Sequence, residues 1–235
     1  MQYKFAPNNN YEFLSAGSVI KSYKGNTNFP VRLGNEIFHR CLKYTHKKEQ
    51  INIYDPMCGS GYLLTTLGIQ NFNKLNTVYG SDINSNSLAI ANKNLRLLTI
   101  AGINERRLEL QNDLYEYNRP SYRKSLDYIS TFEKIVWKDL NFQLFQRDIF
   151  KDDFKLELSI DLVILDLPYS KLVNYEGDYA HHKIERLISD FTEKDVVLAI
   201  VKNKEQQLKF TSIVCRREKI VVGKRIVEIY KKGNE

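Results

Sequence analysis

Four aspartates stand directly after short apolar stretches of the chain, where they could share one binding site. They are Asp55, Asp82, Asp148 and Asp166. If each stretch is a strand of a parallel sheet, all four carboxylates lie at the same edge, because ligands bind beyond the carboxyl ends of such strands. A single acid at a strand end can be explained as an ordinary solvent-exposed loop residue. That explanation is poor for acids at the ends of four strands. The pattern therefore predicts a ligand site at this edge.

The stretch Ile51–Leu64, INIYDPMCGSGYLL, reads as a strand, an acid, a glycine-rich turn and the start of a helix. Gly59 and Gly61 would let the backbone approach a nucleotide-type ligand, and the helix would present free N–H groups to it. Asp82 follows Gly61 by 21 residues, close to the spacing at which an acid meets ribose hydroxyls. A dinucleotide-binding G-x-G-x-x-G pattern is not present, because Leu64 stands where its last glycine is required.

The tetrapeptide D-L-P-Y at Asp166–Tyr169 resembles the D/N-P-P-Y motif of enzymes that methylate amino groups and ring nitrogens. Pro168 stiffens the backbone and leaves carbonyl groups free to accept hydrogen bonds from a base edge. Asp166 offers a carboxylate that could accept a ring proton, and Tyr169 offers a ring face for an extruded base. A proline–tyrosine turn packed on the sheet is the structural alternative. Because the glycine-rich turn precedes this motif, we interpret Asp166, Pro168 and Tyr169 as candidate catalytic residues.

Together these motifs predict a methyltransferase that uses S-adenosylmethionine and acts on nucleic acid. Asp55 would lie near the amino group of the methionine moiety, and Asp148 would flank the adenine. The other candidates for cofactor contact lie in these motifs or beside them in sequence; they are Pro56, Cys58, Ile83, Ile149 and also Asp166. Cys58 has no evident His or Cys partner and is not a candidate nucleophile. We expect no metal, because His181 and His182 lack a third ligand at metal spacing.

These motifs require alternating strands and helices, and the apolar pattern provides them. Strands are predicted at Ile51–Tyr54, Thr77–Ser81, Phe142–Arg147, Leu162–Leu165, Val196–Val201, Phe210–Cys215 and Arg225–Tyr230. Helices are predicted at about 60–71, after a cap at Ser85, and near 181–189. The order indicates an α/β protein with a Rossmann-like class I methyltransferase fold, whose doubly wound sheet has seven mostly parallel strands.

Two segments lie outside this alternation. Residues 1–28 form an N-terminal extension that could be a hairpin or a loose flap. Residues from about 99 to 140 have helical spacing and predict an inserted helical pair, whose first helix runs from Glu105 to about Tyr117. Its interpretation as a substrate-recognition element is favoured over a lid that enlarges the core. The whole chain, 1–235, is predicted to be one domain, with Trp137 in its core.

Composition and charge are consistent with a nucleic-acid partner but do not prove one. The net charge is +7, and residues 201–235 contain ten Lys and Arg against four Asp and Glu. Such a surface binds phosphates, although a solvated lysine-rich surface has the same composition, and Lys202 could meet phosphate or water. There is neither an apolar run that could span a bilayer nor a hydrophobic signal region, so we expect a cytoplasmic protein that does not bind membranes. The three scattered cysteines are expected to be reduced.

Over most of its length the chain resembles the rRNA methyltransferases that give resistance to the orthosomycin antibiotics avilamycin and evernimicin. The resemblance lies in FPVRLGNEIFHR at 29–40, DPMCGSGYLLTTLG at 55–68, SDINSNSLAIANKNLRLL at 81–98, RPSY at 119–122, DLVILDLPYS at 161–170 and YEG at 175–177. It implies methylation of one guanine of bacterial 23S rRNA, which blocks drug binding; we predict N1 as the ring position. We therefore expect 23S rRNA or a large-subunit precursor as the partner, and we expect a monomer.

The same resemblance implies residue roles. It assigns the cofactor to Asp55, Gly59, Gly61, Asp82 and Asp148, and the guanine to Asp166, Pro168 and Tyr169. Arg32, inside FPVRL, is a candidate for cofactor or RNA contact, and a buried structural arginine is the alternative. Met57, Ser170 and Tyr175 replace a cysteine, a glycine and a tryptophan of the relatives. The replacement at Tyr175 leaves open whether the loop after D-L-P-Y contacts the same nucleotide as in the relatives.

Three other functions remain compatible with parts of the pattern. A DNA methyltransferase that modifies the amino groups of adenine or cytosine would use the same D/N-P-P-Y motif. A non-catalytic RNA-binding module could retain the fold, although it would have no use for the strand-end acids. A small-molecule methyltransferase is disfavoured by the basic C-terminal stretch and the base-recognition motif.

Overall fold

The computed structural model describes residues 2–23, 28–149, 158–167, 196–205 and 214–232. The strands are β1 (Ile51–Asp55), β2 (Leu75–Asp82), β3 (Asn141–Gln146), β4 (Leu162–Asp166), β5 (Val197–Asn203), β6 (Val214–Val222) and β7 (Arg225–Lys232). Within the described ranges they form one sheet in the order β3-β2-β1-β4-β5-β7-β6. The first five strands of this order are parallel, and β7 is antiparallel to both of its neighbours. The predicted seven-stranded, mostly parallel sheet is confirmed.

Five helices of at least nine residues accompany the sheet in the described ranges. They are α1 (Val31–Cys41), α2 (Tyr62–Gln70), α3 (Ser85–Leu95), α4 (Ile100–Tyr117) and α5 (Pro120–Ile135). Short 3-10 helices lie at Glu12–Leu14, Phe72–Lys74 and Arg96–Leu98. The prediction that Ser85 caps α3 is wrong, because the side chain of Asn84 accepts the N–H groups of Asn86 and Ser87.

The centre of the sheet is apolar on both faces. β1, which is buried at every position, lies between β2 and β4. Successive residues of a strand point to opposite faces, and Ile53 and Tyr54 accordingly belong to two separate apolar clusters. Strands covered on both faces are typical of parallel sheets in α/β proteins. This burial fixes the carboxyl end of β1, and with it the turn that follows.

Both helices predicted between 99 and 140 are present, but α4 begins at Ile100 rather than Glu105. Thr99 is its cap, because its hydroxyl accepts the N–H of Gly102 at 3.1 Å. The helix ends where Asn118 adopts a left-handed conformation with φ +46°. Pro120 then opens α5, a position that suits its fixed φ. The division of the chain into one domain with an insertion stays a prediction.

The N-terminal extension is neither a hairpin nor a loose flap in its described part. A 3-10 helix is followed by a turn closed by a single bridge between Ala16 and Ile20. The side chains of Leu14, Val19 and Ile20 are completely buried in the core. Both predicted alternatives were wrong because these apolar side chains pack against the helices instead of pairing as strands.

The structure corrects two further details. The sixth strand continues to Val222, beyond its predicted end at Cys215, because a two-residue turn at Gly223 (φ +58°) sets its register with β7. Its predicted start at Phe210 lies outside the described residues. Trp137 is 63% exposed instead of buried. Residues 206–213 and the helix predicted near 181–189 lie outside the described ranges. None of the helices in those ranges combines the length and apolar character that crossing a bilayer requires.

Candidate active site

The glycine-rich turn between β1 and α2 depends on two left-handed residues. Gly59 has φ +53° and Gly61 has φ +70°, a region that residues with a side chain rarely adopt. A Cβ at Gly61 would also lie 3.1 Å from the Cβ of Ala91 on α3. Gly61 is the N-cap of α2, and no side chain among the described residues caps this helix. Its first-turn N–H groups are therefore left for a ligand or for water.

The end of β2 holds this turn through Ser81 and Asp82. The backbone oxygen of Ser81 accepts the N–H of Cys58 at 2.8 Å, and its hydroxyl donates to the carbonyl of Pro56 at 3.0 Å. A carboxylate oxygen of Asp82 accepts the N–H of Gly59 at 2.8 Å. β2 thus fixes the backbone of the turn at three positions.

Tyr54 extends this set of hydrogen bonds into the core. Its hydroxyl oxygen lies 2.6 Å from that of Ser81. Because the single hydroxyl hydrogen of Ser81 is given to Pro56, Tyr54 must be the donor in this pair. Burial, the main cause, raises the pKa of Tyr54 to about 12, so the phenol keeps its proton at neutral pH. The buried hydrogen bonds therefore run from the hydroxyl of Tyr54 to Ser81, and from the hydroxyl of Ser81 to the carbonyl of Pro56.

Three of the four predicted acids come together at the ends of β1, β2 and β4. Asp55 is 3% exposed, and its carboxylate accepts the N–H of Met57 at 3.0 Å. The pKa of Asp55 is raised from 3.8 to about 8, mainly by burial and further by the negative charges of Asp166 and Asp82. These electrostatic effects require the three carboxylates to lie near one another. A buried acid beside two further acids favours a positively charged ligand.

The fourth acid lies beside the same edge. Asp148 is half-buried, two residues beyond the end of β3. The N–H of Arg147 donates to the carbonyl of Asp82 at 3.0 Å, which brings this segment next to the end of β2. Ile149 packs into one of the two apolar clusters. Ile83 is 61% exposed, so it offers apolar surface at the rim of the site.

The predicted base-binding half of the site is only partly within the described ranges. Asp166 ends β4, and the N–H of the next residue, Leu167, donates to the carbonyl of Val201 at 2.9 Å. This bond keeps the chain beside β5 as it leaves the sheet. Pro168 and Tyr169 lie outside the described residues, so their catalytic role stays a prediction.

The side chain of Cys58 faces the core and not a ligand. Its Sγ would lie 3.0 Å from a Cβ added to Gly80 of β2, and the residue is 7% exposed. Burial raises the pKa of the thiol far above its ordinary value, so the group is neutral. Any contact of Cys58 with a cofactor is therefore made by its backbone.

Arg32 is bound to the N-terminal extension. Its Nε donates to the carbonyl of Ala6 at 3.0 Å, and Nη1 donates to the side chain of Asn8 at 3.3 Å. The guanidinium also lies over the ring of Tyr3, 4.0 Å from the ring centre. These contacts favour the structural alternative, and the predicted cofactor contact gains no support from them.

Sequence reasoning missed Ser81 and Tyr54, whose signal was slight: polar side chains inside strands that are otherwise apolar. It also misjudged Lys202, which was expected to meet phosphate or water. The Nζ of Lys202 lies 2.7 Å from a carboxylate oxygen of Glu228, and both residues are buried. This lysine is therefore part of the interior of the sheet.

Comparison with known proteins agrees with this site. The model of the family described as rRNA methyltransferase AviRa matches residues 1–225. The chain belongs to the AviRa family of rRNA methyltransferases. A relative from Streptomyces viridochromogenes, named 23S rRNA (guanine(2535)-N(1))-methyltransferase, is 33% identical over 183 residues, which are 74% of this chain and 73% of the relative. The resemblance to rRNA methyltransferases proposed from the sequence is confirmed.

Solved structures show that the likeness to AviRa extends to the fold. The rRNA methyltransferase AviRa from Streptomyces viridochromogenes superposes with a TM-score of 0.87 at 27% identity, covering 98% of this chain and 96% of that one. A putative methyltransferase from Escherichia coli has a TM-score of 0.51 at 8% identity over 92% of each chain, which shows the shared fold alone. The Rossmann-like methyltransferase fold is thereby confirmed.

S-adenosylmethionine is the methyl donor that an AviRa-type methyltransferase implies. The residues present fit this molecule. Its sulfonium and amino groups are positive, and Asp55 is a buried acid whose neighbours Asp82 and Asp166 are also acids. The left-handed Gly59 and Gly61 give a turn on which no Cβ blocks the approach of a nucleoside.

Proposed function

We propose that this protein methylates N1 of a guanine in 23S rRNA, with S-adenosylmethionine as the donor, and so gives resistance to orthosomycin antibiotics. The named activity of the relative from Streptomyces viridochromogenes supports the substrate and the ring position. The structural observation that carries the proposal is the meeting of Asp55, Asp82 and Asp166 beside the glycine-rich turn. It supports a cofactor-binding half and a base-facing carboxylate at one edge of the sheet.

The cofactor half is held by groups that are oriented before any ligand binds. When bound, S-adenosylmethionine would supply an electrophilic methyl group on a positively charged sulfur. Asp55 is suited to a cationic group, because a positive charge beside a buried acid lowers its pKa and offsets the cost of ionising it. Asp82 is fixed by the N–H groups of Gly59 and Asn84, at 2.8 and 2.9 Å, and its remaining lone pairs can accept from ribose hydroxyls.

Asp166 would act on the guanine. The N1 of guanine carries a hydrogen that must leave when the methyl group arrives. A carboxylate at the end of β4 can accept a hydrogen bond from N1–H, orient the base and help to remove the proton. Since the charge of Asp166 acts on Asp55, this carboxylate lies within electrostatic reach of the cofactor half. The guanine must leave its stack to reach this position, and positioning would then supply most of the rate enhancement.

The turn between α4 and α5 supports the interpretation of the helical pair as an RNA-recognition element. Tyr115 is 94% exposed and Tyr117 is 50% exposed. The guanidinium of Arg119 lies 6.0 Å from the ring centre of Tyr117, and Arg123 donates to the side chain of Asn118 at 3.1 Å. Exposed aromatic rings beside arginines suit stacking on unpaired bases and contact with phosphates.

The proposal extends to the partner and the place of action. Arg217, Lys219 and Lys224 are exposed on the β6–β7 hairpin and could contact phosphates of 23S rRNA or of a large-subunit precursor. A monomer acting in the cytoplasm, where ribosomal RNA is modified, completes the proposal.

Replacement of Asp166 by alanine tests the assigned chemistry. We expect Asp166→Ala to retain binding of S-adenosylhomocysteine and to lose methyl incorporation into 23S rRNA by about a hundredfold or more, since it removes the proton acceptor. Glu49→Ala is the matched control, because it removes an exposed carboxylate just before β1, at the opposite edge of the sheet. Undiminished incorporation in Asp166→Ala would remove Asp166 from the mechanism.

Primer extension tests the substrate. A methyl group on guanine N1 blocks base pairing, so reverse transcription of 23S rRNA should stop at one guanine only in cells that contain the protein. Methyl transfer to duplex DNA in place of rRNA would contradict the proposal and support a DNA methyltransferase.

A further inference from the structure

Asn94 on α3 is a buried polar residue that contacts the glycine-rich turn. Its side chain is completely buried, and its Nδ2 donates to the carbonyl of Ser60 at 2.9 Å. The same amide bonds both backbone groups of Lys21, because Oδ1 accepts the N–H at 2.8 Å and Nδ2 donates to the carbonyl at 2.9 Å. One side chain therefore joins the turn to the N-terminal extension.

All three of these hydrogen bonds are needed to satisfy the amide. Asn94 uses its oxygen once and both hydrogens of its Nδ2, so a flipped amide would set its oxygen against the two carbonyls of Ser60 and Lys21. A buried amide without partners is costly, which makes this arrangement strongly preferred over any partly bonded one. The orientation of Asn94 is thus fixed by the two backbone segments that it connects.

Residues 14–21, the N-terminal strap, are held in the same way at other points. The hydroxyl of Tyr62, the first residue of α2, donates to the carbonyl of Leu14 at 2.8 Å. Arg106 on α4 donates to the carbonyls of Val19 and Ser18 at 3.0 and 2.7 Å. The strap therefore runs from the helical pair to the start of α2, directly beside the glycine-rich turn.

We infer that Asn94 is a positioning residue for cofactor binding, which holds the glycine-rich turn in its binding conformation while the N-terminal strap is in place. The inference rests on the proposed function, because it takes the turn as the site of S-adenosylmethionine. Ser81 and Asp82 fix the β2 side of the turn, and Asn94 fixes its α3 side at Ser60. Since the two segments share one amide, a ligand on the turn and the seating of the strap stabilise each other.

Asn94→Asp tests this role with little change of shape. It keeps an oxygen for the N–H of Lys21 but sets a second oxygen against two carbonyls, so we expect the Kd of S-adenosylhomocysteine to rise about tenfold or more. Calorimetry should be done well below the unfolding temperature. Asn92→Asp places the same charge on an exposed position of α3 and should leave the Kd unchanged. Asn71→Asp disturbs another buried amide, remote from the turn, and should lower stability without changing the Kd.

Amide hydrogen exchange in the wild type provides a measurement that needs no variant. The N–H of Lys21 is bonded to Asn94, so S-adenosylhomocysteine should slow its exchange together with exchange in the turn. The side chain of Lys21 instead pairs with Glu109 at 2.7 Å. Exchange of this N–H therefore reports on the backbone bond to Asn94 and not on that ion pair.

The outcomes separate this inference from the function on which it rests. Failure of the wild type to bind S-adenosylhomocysteine would refute the proposed function itself. Normal binding by the wild type, with the same Kd in folded Asn94→Asp, would overturn the role of Asn94 and leave the function intact. Ligand protection confined to the turn would also overturn it, and this result decides the matter if Asn94→Asp does not fold.

Discussion

Two buried carboxylates of the same sheet, Asp55 on β1 and Glu228 on β7, have opposite electrostatic surroundings. They are similarly inaccessible, with 3% and 2% of their surface exposed. Yet the pKa of Asp55 is raised to about 8, whereas the pKa of Glu228 is lowered from its ordinary value. Burial raises the pKa of both groups, so the difference comes from their neighbours.

The neighbours of Glu228 are cations and a hydrogen-bond donor. The Nζ of Lys202 lies 2.7 Å from one carboxylate oxygen, and Nη1 of Arg216 lies 2.9 Å from the other. The hydroxyl of Tyr230 donates to the same carboxylate at 3.0 Å. Burial alone would raise the pKa of Glu228, but these groups together hold it below its usual range.

Asp55 has acids where Glu228 has bases. The charged groups that shift its pKa are Asp166 and Asp82, and no ion pair involving Asp55 occurs in the described part of the chain. A buried acid among cations is complete within the folded protein, and its charge serves the structure. A buried acid among other acids is costly to ionise unless a cation binds beside it. This arrangement indicates a ligand site.

The largest effect on stability is expected for Glu228→Gln. The change leaves the Nζ of Lys202, a residue only 5% exposed, without its counter-charge. Breaking a buried pair in this way should lower the free energy of unfolding by about 3–5 kcal/mol at pH 7. Urea denaturation measures the loss. Glu12→Gln, which breaks an exposed pair with Lys124, should have no measurable effect in the same assay.

The pH dependence of this loss has a definite sign. Because the pKa of Glu228 is lowered in the folded protein, its contribution is present above the ordinary value of 4.5 and disappears as the pH falls through the folded-state value. The wild type and Glu228→Gln should therefore converge in stability as the pH is lowered below that value. A constant difference at every pH would show that Glu228 stabilises the sheet by packing and not by charge.

In the absence of ligand, Asp55→Asn should stabilise the protein, whereas Glu228→Gln destabilises it. Asparagine keeps an oxygen for the N–H of Met57 but cannot ionise. The pKa of Asp55 is about 8 in the folded protein, above the ordinary 3.8. Between these two values Asp55 is ionised only in the unfolded chain, so the free energy of unfolding falls as the pH rises. The variant should therefore be more stable than the wild type at pH 8, the difference shrinking towards pH 5 by up to about 1.4 kcal/mol per pH unit.

The same variant should bind the cofactor more weakly, which separates a ligand site from a structural defect. Loss of the carboxylate proposed to lie beside the positive groups of the cofactor should raise the Kd of S-adenosylmethionine at pH 8 about tenfold. Calorimetry and urea denaturation on the same sample give both quantities. A variant that is less stable than the wild type at pH 8 would contradict the electrostatic assignment of Asp55.

The sequence predicted the acid-rich end of the sheet because its signals are local. Each strand is a short apolar run, and the aspartate that ends it is adjacent in the chain. Parallel strands in an α/β fold then bring these ends together without further information. This is why the sequence alone predicts that Asp55, Asp82 and Asp166 lie near one another.

The sequence could not predict the interactions that depend on register between distant segments. Lys202 and Glu228 meet only because β5 and β7 are antiparallel with Ile200 opposite Glu228. Asn94 belongs to a helix in which an asparagine is usually exposed, and its partners Ser60 and Lys21 lie far away in the chain. Such polar side chains carry no periodic signal, because their burial is decided by where the partner backbone groups lie.

The smallest effects are expected from two buried tyrosines of the same apolar cluster, Tyr54 and Tyr230. Tyr54→Phe removes the donor to Ser81, and Tyr230→Phe removes a donor to Glu228; each should cost about 1 kcal/mol of stability. Only Tyr54 lies on the path to the glycine-rich turn, through the bond from Ser81 to Pro56. Tyr54→Phe should therefore raise the Kd of S-adenosylhomocysteine severalfold while Tyr230→Phe leaves it unchanged. Equal Kd values in the two variants would show that the turn is held by its backbone bonds alone.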